Sequence, residues 1–411
     1  MVYVYSVDSK PLMPCTPAKA RHLLEKGKAI KVRTFTRDVF AIQLTFRVSE
    51  YVEELTLGID AGSKVIGFSV SSDRREYFAA EVEVRNDIKQ LMTARSRTRR
   101  TRRSRLRHRK PRFNNRKRRE GWYAPTVENK MGTHLWMIDL ICSLLPISHI
   151  VIETASFDIQ KLKNPEIESV DYQHGEQYGF WNTREYVLWR DDHQCQNCKG
   201  KSKDNVLEVH HIIPRSEGGS DRPDNLITLC SHCHKGFHDK TVKLKIKNPE
   251  KGYEHEAFMG IMRWEIYHRL QAIYGDMVSM TYGYITKDTR IRHKLPKTHR
   301  MDALCIAGHP DAAKLPKVLY CRKLRCHNRQ LYKANKLKGG KLKANQSPLF
   351  VYGFKLWDKV KYKNQTCFIK GRRSTGYFAL ETFDGTKISG GLSYKKLTLL
   401  ESSKTIITER R

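Results

Sequence analysis

A chain of 411 residues with 77 Lys and Arg against 43 Asp and Glu has a formal net charge of +34, and only 39% of it is hydrophobic. No apolar run approaches the ~20 residues that a membrane-spanning helix needs, and Met1 leads straight into the alternating "VYVYSV" rather than a signal peptide. The expectation is an intracellular, cytoplasmic protein whose field attracts phosphate. Its ten cysteines include two close pairs, Cys195/Cys198 and Cys230/Cys233, which suits a metal site in a reducing compartment better than a disulfide framework. The length accommodates roughly three domains at ~150 residues each.

Residues 1–53 read as strand, helix and β-hairpin: Thr16 is the N-cap, Pro17 takes the first helical position, "AKARHLLEKGKA" is helical and Gly27 is near its end. In residues 54–84, "LTLGIDAGSKVIGFSV" reads as a strand ending at Asp60, a turn and a second strand. Residues 85–120 hold the run from Ala94 to Arg119, whose only clearly apolar members are Leu106 and Phe113. Such a run is either a solvated charge tract or a long helix without an apolar face, neutralised by a polyanion. Nucleic acid is the obvious polyanion. In residues 121–180, "THLWMIDLICSLL" has apolar residues at helical spacing, and "HIVIETASFD" is a strand presenting Glu153.

Residues 181–245 are the most informative. Two C-x2-C knuckles, Cys195/Cys198 and Cys230/Cys233, place four thiolates for one structural zinc ion. Between and after them come His210 and His211, a turn at Gly218 and Gly219, Asn225, and His234 and His238 at i, i+4 on a helix. Adjacent strand residues point to opposite faces, so His210 and His211 have different tasks. This pattern resembles the HNH nuclease motif, a ββα-metal fold. The resemblance implies that His211 is the general base, with Asn225 hydrogen-bonded to its ring, and that His210, His234 and His238 hold one divalent ion. The family often has Asp where His210 stands, which leaves the identity of that ion open. The alternative is a zinc finger whose histidines are incidental.

In residues 246–312, "EAFMGIMRWEIYHRLQAIYG" is a helix with Met259, Met262, Ile266, Leu270 and Ile273 expected in the core. "KTHRMDALCIAG" starts another helix, with His299 and Asp302 on one face. The "GIDAGS" turn alone also resembles the phosphate-binding hairpin of the actin and sugar-kinase superfamily. Taken in order, however, Asp60, Glu153 and Asp302 resemble the split segments of a RuvC-like nuclease with an RNase H fold. That implies a carboxylate cluster, with His299, binding two Mg²⁺ ions about 4 Å apart. Residues 313–411 are basic and turn-rich, then from Val351 alternate in short runs that suggest a small β-barrel. Cys321, Cys326 and His327 lack a suitably spaced fourth ligand for a second metal site.

The arginine run lies between the first and second RuvC-like segments, the HNH segment lies between the second and third, and "KPLMP" stands near the start. This order resembles the IscB family of transposon-encoded RNA-guided nucleases. It implies an α/β multidomain protein: an N-terminal PLMP-like domain, an RNase H-like mixed sheet split by an arginine-rich bridge helix and an inserted HNH domain, and a C-terminal basic domain. The implied partners are a guide RNA with a structured scaffold and double-stranded DNA with a short flanking motif, bound by a monomeric protein in a ribonucleoprotein of the prokaryotic cytoplasm and nucleoid. Arg95, Arg99, Arg100, Arg102, Arg103, Arg105, Arg107 and Arg109 would contact RNA phosphates through fork-shaped guanidinium groups. Arg372, Arg373 and Lys395 are candidates for RNA or flanking-motif contacts. By the same resemblance, the HNH site cuts the guide-paired strand and the RuvC-like site the displaced one. An unguided structure-selective nuclease and a non-enzymatic RNA-binding protein are the alternatives.

Overall fold

The hairpin expected around Asp60 is the centre of a seven-stranded mixed sheet. The computed structural model describes residues 1–48, 52–106, 121–154, 177, 179–217, 219, 221–244, 254–325, 333–334, 342–343 and 348–411. The chain divides into two compact units, one made of Met1–Ala155 with Met259–Arg411, the other of Ser156–Phe258.

In the first unit, β1 (Val2–Tyr5) and β2 (Pro11–Cys15) form a hairpin, α1 (Pro17–Glu25) follows, and β3 (Ala29–Val32) and β4 (Ala41–Leu44) form a second hairpin. Thr16 Oγ1 accepts from the Lys19 N–H at 3.3 Å, Pro17 opens the helix, and Gly27 turns the chain away at φ +66°. The parallel pairing of β1 with β4 joins the hairpins into one sheet, order β2-β1-β4-β3.

The large sheet begins with the antiparallel meander β5 (Thr56–Asp60), β6 (Val65–Ser71) and β7 (Glu76–Glu83), and β8 (His149–Thr154) lies parallel to β5. Leu57, Ile59, Ile66, Phe68, Val70, Phe78 and Val82 are buried along it. By register these all lie on one face, alternating with small or polar residues such as Gly58, Gly67 and Ser69 on the other. Between β7 and β8 lie α2 (Ile88–Leu106) and α3 (Pro125–Leu144). The first is the expected helix, with Ile88 buried in its first turn, and Arg107 and Arg109 lie outside the described residues. The second starts earlier than its apolar run suggests and buries Met131, Met137, Ile138, Ile141 and Leu144.

The second unit contributes β9 (Leu207–His211) and β10 (Leu226–Cys230), paired antiparallel, flanked by α4 (Thr183–Arg190) and α5 (Ser231–His238). This is a ββα arrangement. Arg190 donates to the carbonyls of Pro223 and Leu226 at 2.8 and 2.9 Å, fastening α4 to it.

After α6 (Glu254–Tyr274), β11 (Val278–Tyr282) adds to the large sheet parallel to β8, followed by α7 (Gly283–Arg292) and α8 (His299–Ile306). Met259, Met262, Ile266 and Leu270 are buried as expected, but Ile273 is 64% exposed. The last turn of α6 has rotated its apolar seam past the core. The strands of residues 313–411 are divided among three sheets: β12 (Leu319–Lys323) pairs parallel with β7 and β20 (Ile406–Arg410) antiparallel with β12, completing the order β11-β8-β5-β6-β7-β12-β20. Cys321 is a buried residue of β12, and Cys326 and His327 lie outside the described residues. The two-residue strands β13 (Lys333–Ala334) and β14 (Leu342–Lys343) pair with each other. Finally β15 (Lys359–Tyr362), β16 (Gln365–Arg372), β17 (Tyr377–Glu381), β18 (Lys387–Ser393) and β19 (Thr398–Glu401) form an antiparallel sheet, order β18-β17-β16-β15-β19, over a core of Val360, Cys367, Ile369, Phe378 and Leu380. Among the described residues, no pairing of β18 with β19 closes it into a barrel. None of the described helices is long and apolar enough to cross a membrane.

Two glycines set the position of α8. A Cβ on Gly58 would lie 2.0 Å from the Ala303 carbonyl oxygen, and one on Gly67 would lie 2.0 Å from that of His299. The helix therefore rests directly on the backbone of β5 and β6. Arg300, on the same helix, ion-pairs with the buried Glu76. We predict that Gly58→Ala destabilises the protein by about 1–3 kcal/mol, the usual cost of overpacking against unyielding backbone. Denaturant or thermal unfolding measures it, and an unchanged transition would contradict this seating.

Candidate active sites

Asp60 is the last residue of β5, and the Ile59–Ile152 register of the parallel neighbour brings Glu153 beside it. Both are nearly buried, at 7% and 8% exposure. The first turn of α8 completes the group: His299 Nδ1 lies 2.6 Å from Asp60 Oδ2, and Asp302 is on the same helix face. Thr298 Oγ1 caps that turn by accepting from the Met301 N–H at 3.2 Å. Asp302 pairs with Arg290 of α7 at 2.8 Å. Burial pushes the Glu153 and Asp302 carboxyls up, and the charge of Asp60 adds to both shifts. The hydrogen bond to Asp60 raises His299. The fold thus brings together Asp60, Glu153, His299 and Asp302.

A cation that the sequence did not suggest lies among them. Arg263, 8% exposed on α6, puts Nη1 2.7 Å from Glu153 Oε1 and Nη2 3.8 Å from Asp60 Oδ1, while its Nε donates to the Ala61 carbonyl at 3.0 Å. His134 of α3 is fully buried, with Nδ1 2.8 Å from the Lys130 carbonyl oxygen and Nε2 without a hydrogen-bond partner. Burial pushes it down to about 4, against which the charge of Asp60 acts. Arg263 was hidden by its helix's apolar pattern, and His134 by the absence of any motif around it.

In the ββα unit, the sulfurs of Cys195, Cys198, Cys230 and Cys233 all lie within 4.8 Å of one another. Cys198 Sγ and Cys230 Sγ are 3.8 Å apart, close to the edge of a tetrahedron with zinc–sulfur arms of about 2.3 Å. Burial pushes the Cys198 thiol up, but hydrogen bonds from Ser202 and the neighbouring sulfurs outweigh it and bring it down to about 6. This four-cysteine cluster can hold zinc.

The ring nitrogens of His210, His234 and His238 form a second such group, with His238 Nε2 3.2 Å from His234 Nε2. His210 is buried and its Nε2 has no hydrogen-bond partner, an orphan that a metal ion would satisfy. Burial, then the neighbouring histidines, push it down to about 4, so it is neutral and its lone pair is available. His234 Nδ1 lies 2.5 Å from Glu208 Oε2, the kind of outer partner that orients a ligating imidazole.

His211 faces the other way. Its Nε2 lies 2.8 Å from Asp221 Oδ1, which also accepts from Arg215 Nε at 2.7 Å. The amide of Asn225 spans the Ile213 backbone, accepting from N–H at 2.9 Å and donating to the carbonyl at 3.0 Å. It braces the segment just past the strand end that carries the histidine, while Asp221 is a side-chain partner of the ring itself. Gly219 is required here, since a Cβ would lie 1.7 Å from the Ile213 carbonyl oxygen and 2.8 Å from Asn225 Nδ2. Gly218 lies outside the described residues.

Arg95, Arg99 and Arg100 are exposed on α2; Arg102, Arg103 and Arg105 are on its continuation. Of the C-terminal candidates, Arg372 is engaged internally, donating from Nη1 to the carbonyls of Leu349 and Phe354 at 2.6 and 2.9 Å. Arg373 and Lys395 are exposed.

Comparison with known proteins gives two family matches: residues 2–175 match the RRXRR protein family and residues 195–240 the HNH endonuclease family. The type IV methyl-directed restriction enzyme EcoKMcrA of Escherichia coli K12 is 40% identical over 60 residues, 13% of this chain and 21% of the enzyme. Anaredoxin of Nostoc sp. PCC 7120 is 42% identical over 57 residues, 14% of this chain and 71% of Anaredoxin. A structure of Streptococcus thermophilus Cas9 in complex with the GGAA PAM is similar over 53% of this chain and 30% of that one, at 16% identity and a TM-score of 0.36. The complex with the AGAA PAM is similar over 52% and 30%, at 15% identity and 0.32. This chain thus spans about a fifth of the restriction enzyme and under a third of either Cas9 chain.

Two predictions follow from the geometry. Purified protein should hold about one zinc per chain by elemental analysis, and Cys198→Ser should lose it and melt the ββα unit, because such sites supply folding energy directly. His134 titrates at about 4 when folded against an ordinary 6.5. Its contribution to stability is therefore complete above pH 6.5 and lost as pH falls toward 4, where only the unfolded chain takes up the proton. In His134→Gln, the pH dependence of the melting temperature across that window should be shallower than in the parent; an equal slope would contradict the assignment.

Proposed function

We propose that this IscB-like protein, an RRXRR region followed by an HNH endonuclease domain, is an RNA-guided, metal-dependent DNA endonuclease with two hydrolytic sites. The observation that carries the proposal is the coexistence of two donor sets of different chemistry, a carboxylate cluster and a histidine cluster, with an arginine-rich helix. The carboxylates form the RuvC-like site and the large sheet its RNase H-like platform. Their hard oxygen donors, buried at Asp60 and Glu153 and half-buried at Asp302, suit Mg²⁺: the three would hold two such ions. In the HNH site, His210, His234 and His238 would hold one divalent ion. When bound, these metals stabilise charge on the scissile phosphate and lower the pKa of water.

The protein's own contribution in the HNH site is proton transfer. With the Nε2 hydrogen of His211 directed to Asp221, Nδ1 keeps the lone pair and can accept a proton from the attacking water. Arg215 shares the same Asp221 oxygen, so that carboxylate orients the ring without taking its proton. In the RuvC-like site, His299 orients Asp60 and is exposed enough to exchange a proton with solvent. The helix α2 presents Arg95, Arg99 and Arg100 to the phosphates of a guide RNA, whose charge offsets their mutual repulsion. Base pairing would read sequence, while the protein reads backbone and a short flanking motif.

The test uses protein purified with its co-purifying RNA and a matched DNA target end-labelled on either strand. His211→Ala should nick only the displaced strand and Asp60→Ala only the guide-paired strand. The double variant should bind without cutting. Absence of any defined RNA would overturn the guided reading, and Asp60→Ala that still cut both strands would overturn the carboxylate assignment.

A further inference from the structure

Each carboxylate at the end of the large sheet has a basic side chain on one of its oxygens. His299 takes Asp60 Oδ2, Arg290 takes Asp302 Oδ1, and Arg263 takes Glu153 Oε1. Arg263 also faces Asp60, with Nη2 3.8 Å from Oδ1, so its guanidinium spans two acids on neighbouring strands.

A divalent ion shared by Asp60 and Glu153 would do the same electrostatic work as that guanidinium and would compete for the same atoms. Mg²⁺ sits about 2.0–2.1 Å from a carboxylate oxygen, while Arg263 Nη1 is 2.7 Å from Glu153 Oε1. Ion and guanidinium on that one oxygen are two positive charges in near contact. At a surface, salt and water would screen them, but Arg263, Asp60 and Glu153 are all buried. Nor does the guanidinium leave without cost. Its Nε donates to the Ala61 carbonyl at 3.0 Å, which ties it to the residue after Asp60. Glu153 is itself held from the other side of the chain, by a hydrogen bond from Thr286 of α7 and by the close packing of Gly283, where a Cβ would lie 3.1 Å from Oε1.

We propose that Arg263 is a built-in competitor for the metal of the carboxylate site: it bridges Asp60 and Glu153 as a shared ion would, and the ion binds by displacing it from Glu153. The affinity of the site is thereby set below what three carboxylates would otherwise give. A guanidinium keeps its proton at any working pH, so this brake is constant, unlike one built on a histidine. The inference rests on the RuvC-like reading of that site.

The experiment uses the full protein with its RNA, without DNA, and Fe²⁺ as the probe. With ascorbate and peroxide, bound Fe²⁺ cuts the polypeptide beside it, so fragments ending near Asp60 and Glu153 report the carboxylate site whatever ions the RNA holds. Those fragments should disappear in Asp60→Ala. Arg263→Met keeps the apolar stem and removes the charge. In it the Fe²⁺ concentration that half-saturates the fragments should fall about ten-fold or more, the scale on which one charge at about 4–6 Å moves a buried equilibrium. Arg263→Lys keeps the charge and should stay near the parent; an equal fall there would overturn competition by charge. Circular dichroism reports folding, and where Arg263→Met does not fold, Arg263→Gln, neutral but able to donate to Glu153, is read by the same criterion. If Asp60→Ala loses the fragments while the neutral variant leaves half-saturation unchanged or raises it, the competitor is wrong and the site stands. If neither parent nor neutral variant is cut near Asp60 and Glu153, or Asp60→Ala still is, the site itself is wrong.

Discussion

Two carboxylates withdrawn from water at the ends of adjacent parallel strands repel each other unless a cation lies between them. Asp60 and Glu153 are in that position, and Arg263 supplies the cation from a neighbouring helix. Much else follows from this contact. Burial of Arg263 is tolerable because Glu153, Asp60 and the Ala61 carbonyl all receive its guanidinium hydrogens or charge. Close seating of α8 on Gly58 and Gly67 then brings His299 and Asp302 to the same end of the sheet. A bulkier residue at either glycine would lift two members of the cluster away from the other two.

The ββα unit meets the same electrostatic demand with different chemistry. Four thiols and three imidazoles are drawn together in a short segment; the imidazoles have Glu208 beside His234, and the thiols have hydrogen-bond donors in place of an ion. The thiols share hydrogen bonds from Ser202 and Asn197, and His210 is left with an orphaned nitrogen. On the opposite side of the strand, His211 is held by Asp221 and lies apart from that cluster. The alternation of a β-strand sends one histidine into the three-imidazole cluster and the other to Asp221, though they are adjacent in sequence.

What the sequence disclosed was chiefly local. Strand ends at Asp60 and Glu153, the Thr16 cap, the cysteine knuckles and the i, i+4 histidines each need only a few neighbouring residues to be recognised, and each is where the pattern suggests. Features that depend on distant contacts were not legible. Arg263 is surrounded in sequence by core residues, and only the approach of α6 to β5 and β8 gives it a partner. Asp221 reaches His211 through a loop with no periodic signal. The start of α3 is obscured because Lys130, Thr133 and His134 are polar yet buried there. Likewise β12 and β20 join the large sheet by pairing across long separations, so residues 313–411, read as one basic domain, also supply two strands of the large sheet.

The internal ion pair of Arg263 has a consequence for how the protein is assembled in a cell. A centre whose charges are already balanced by its own chain can fold before any metal arrives and can exchange metal without unravelling. Among the described residues the four-cysteine centre has no such cation, so zinc, which that cluster can hold, would set its shape from the moment of synthesis. Chelation would then unmake the thiol centre and leave the carboxylate centre folded.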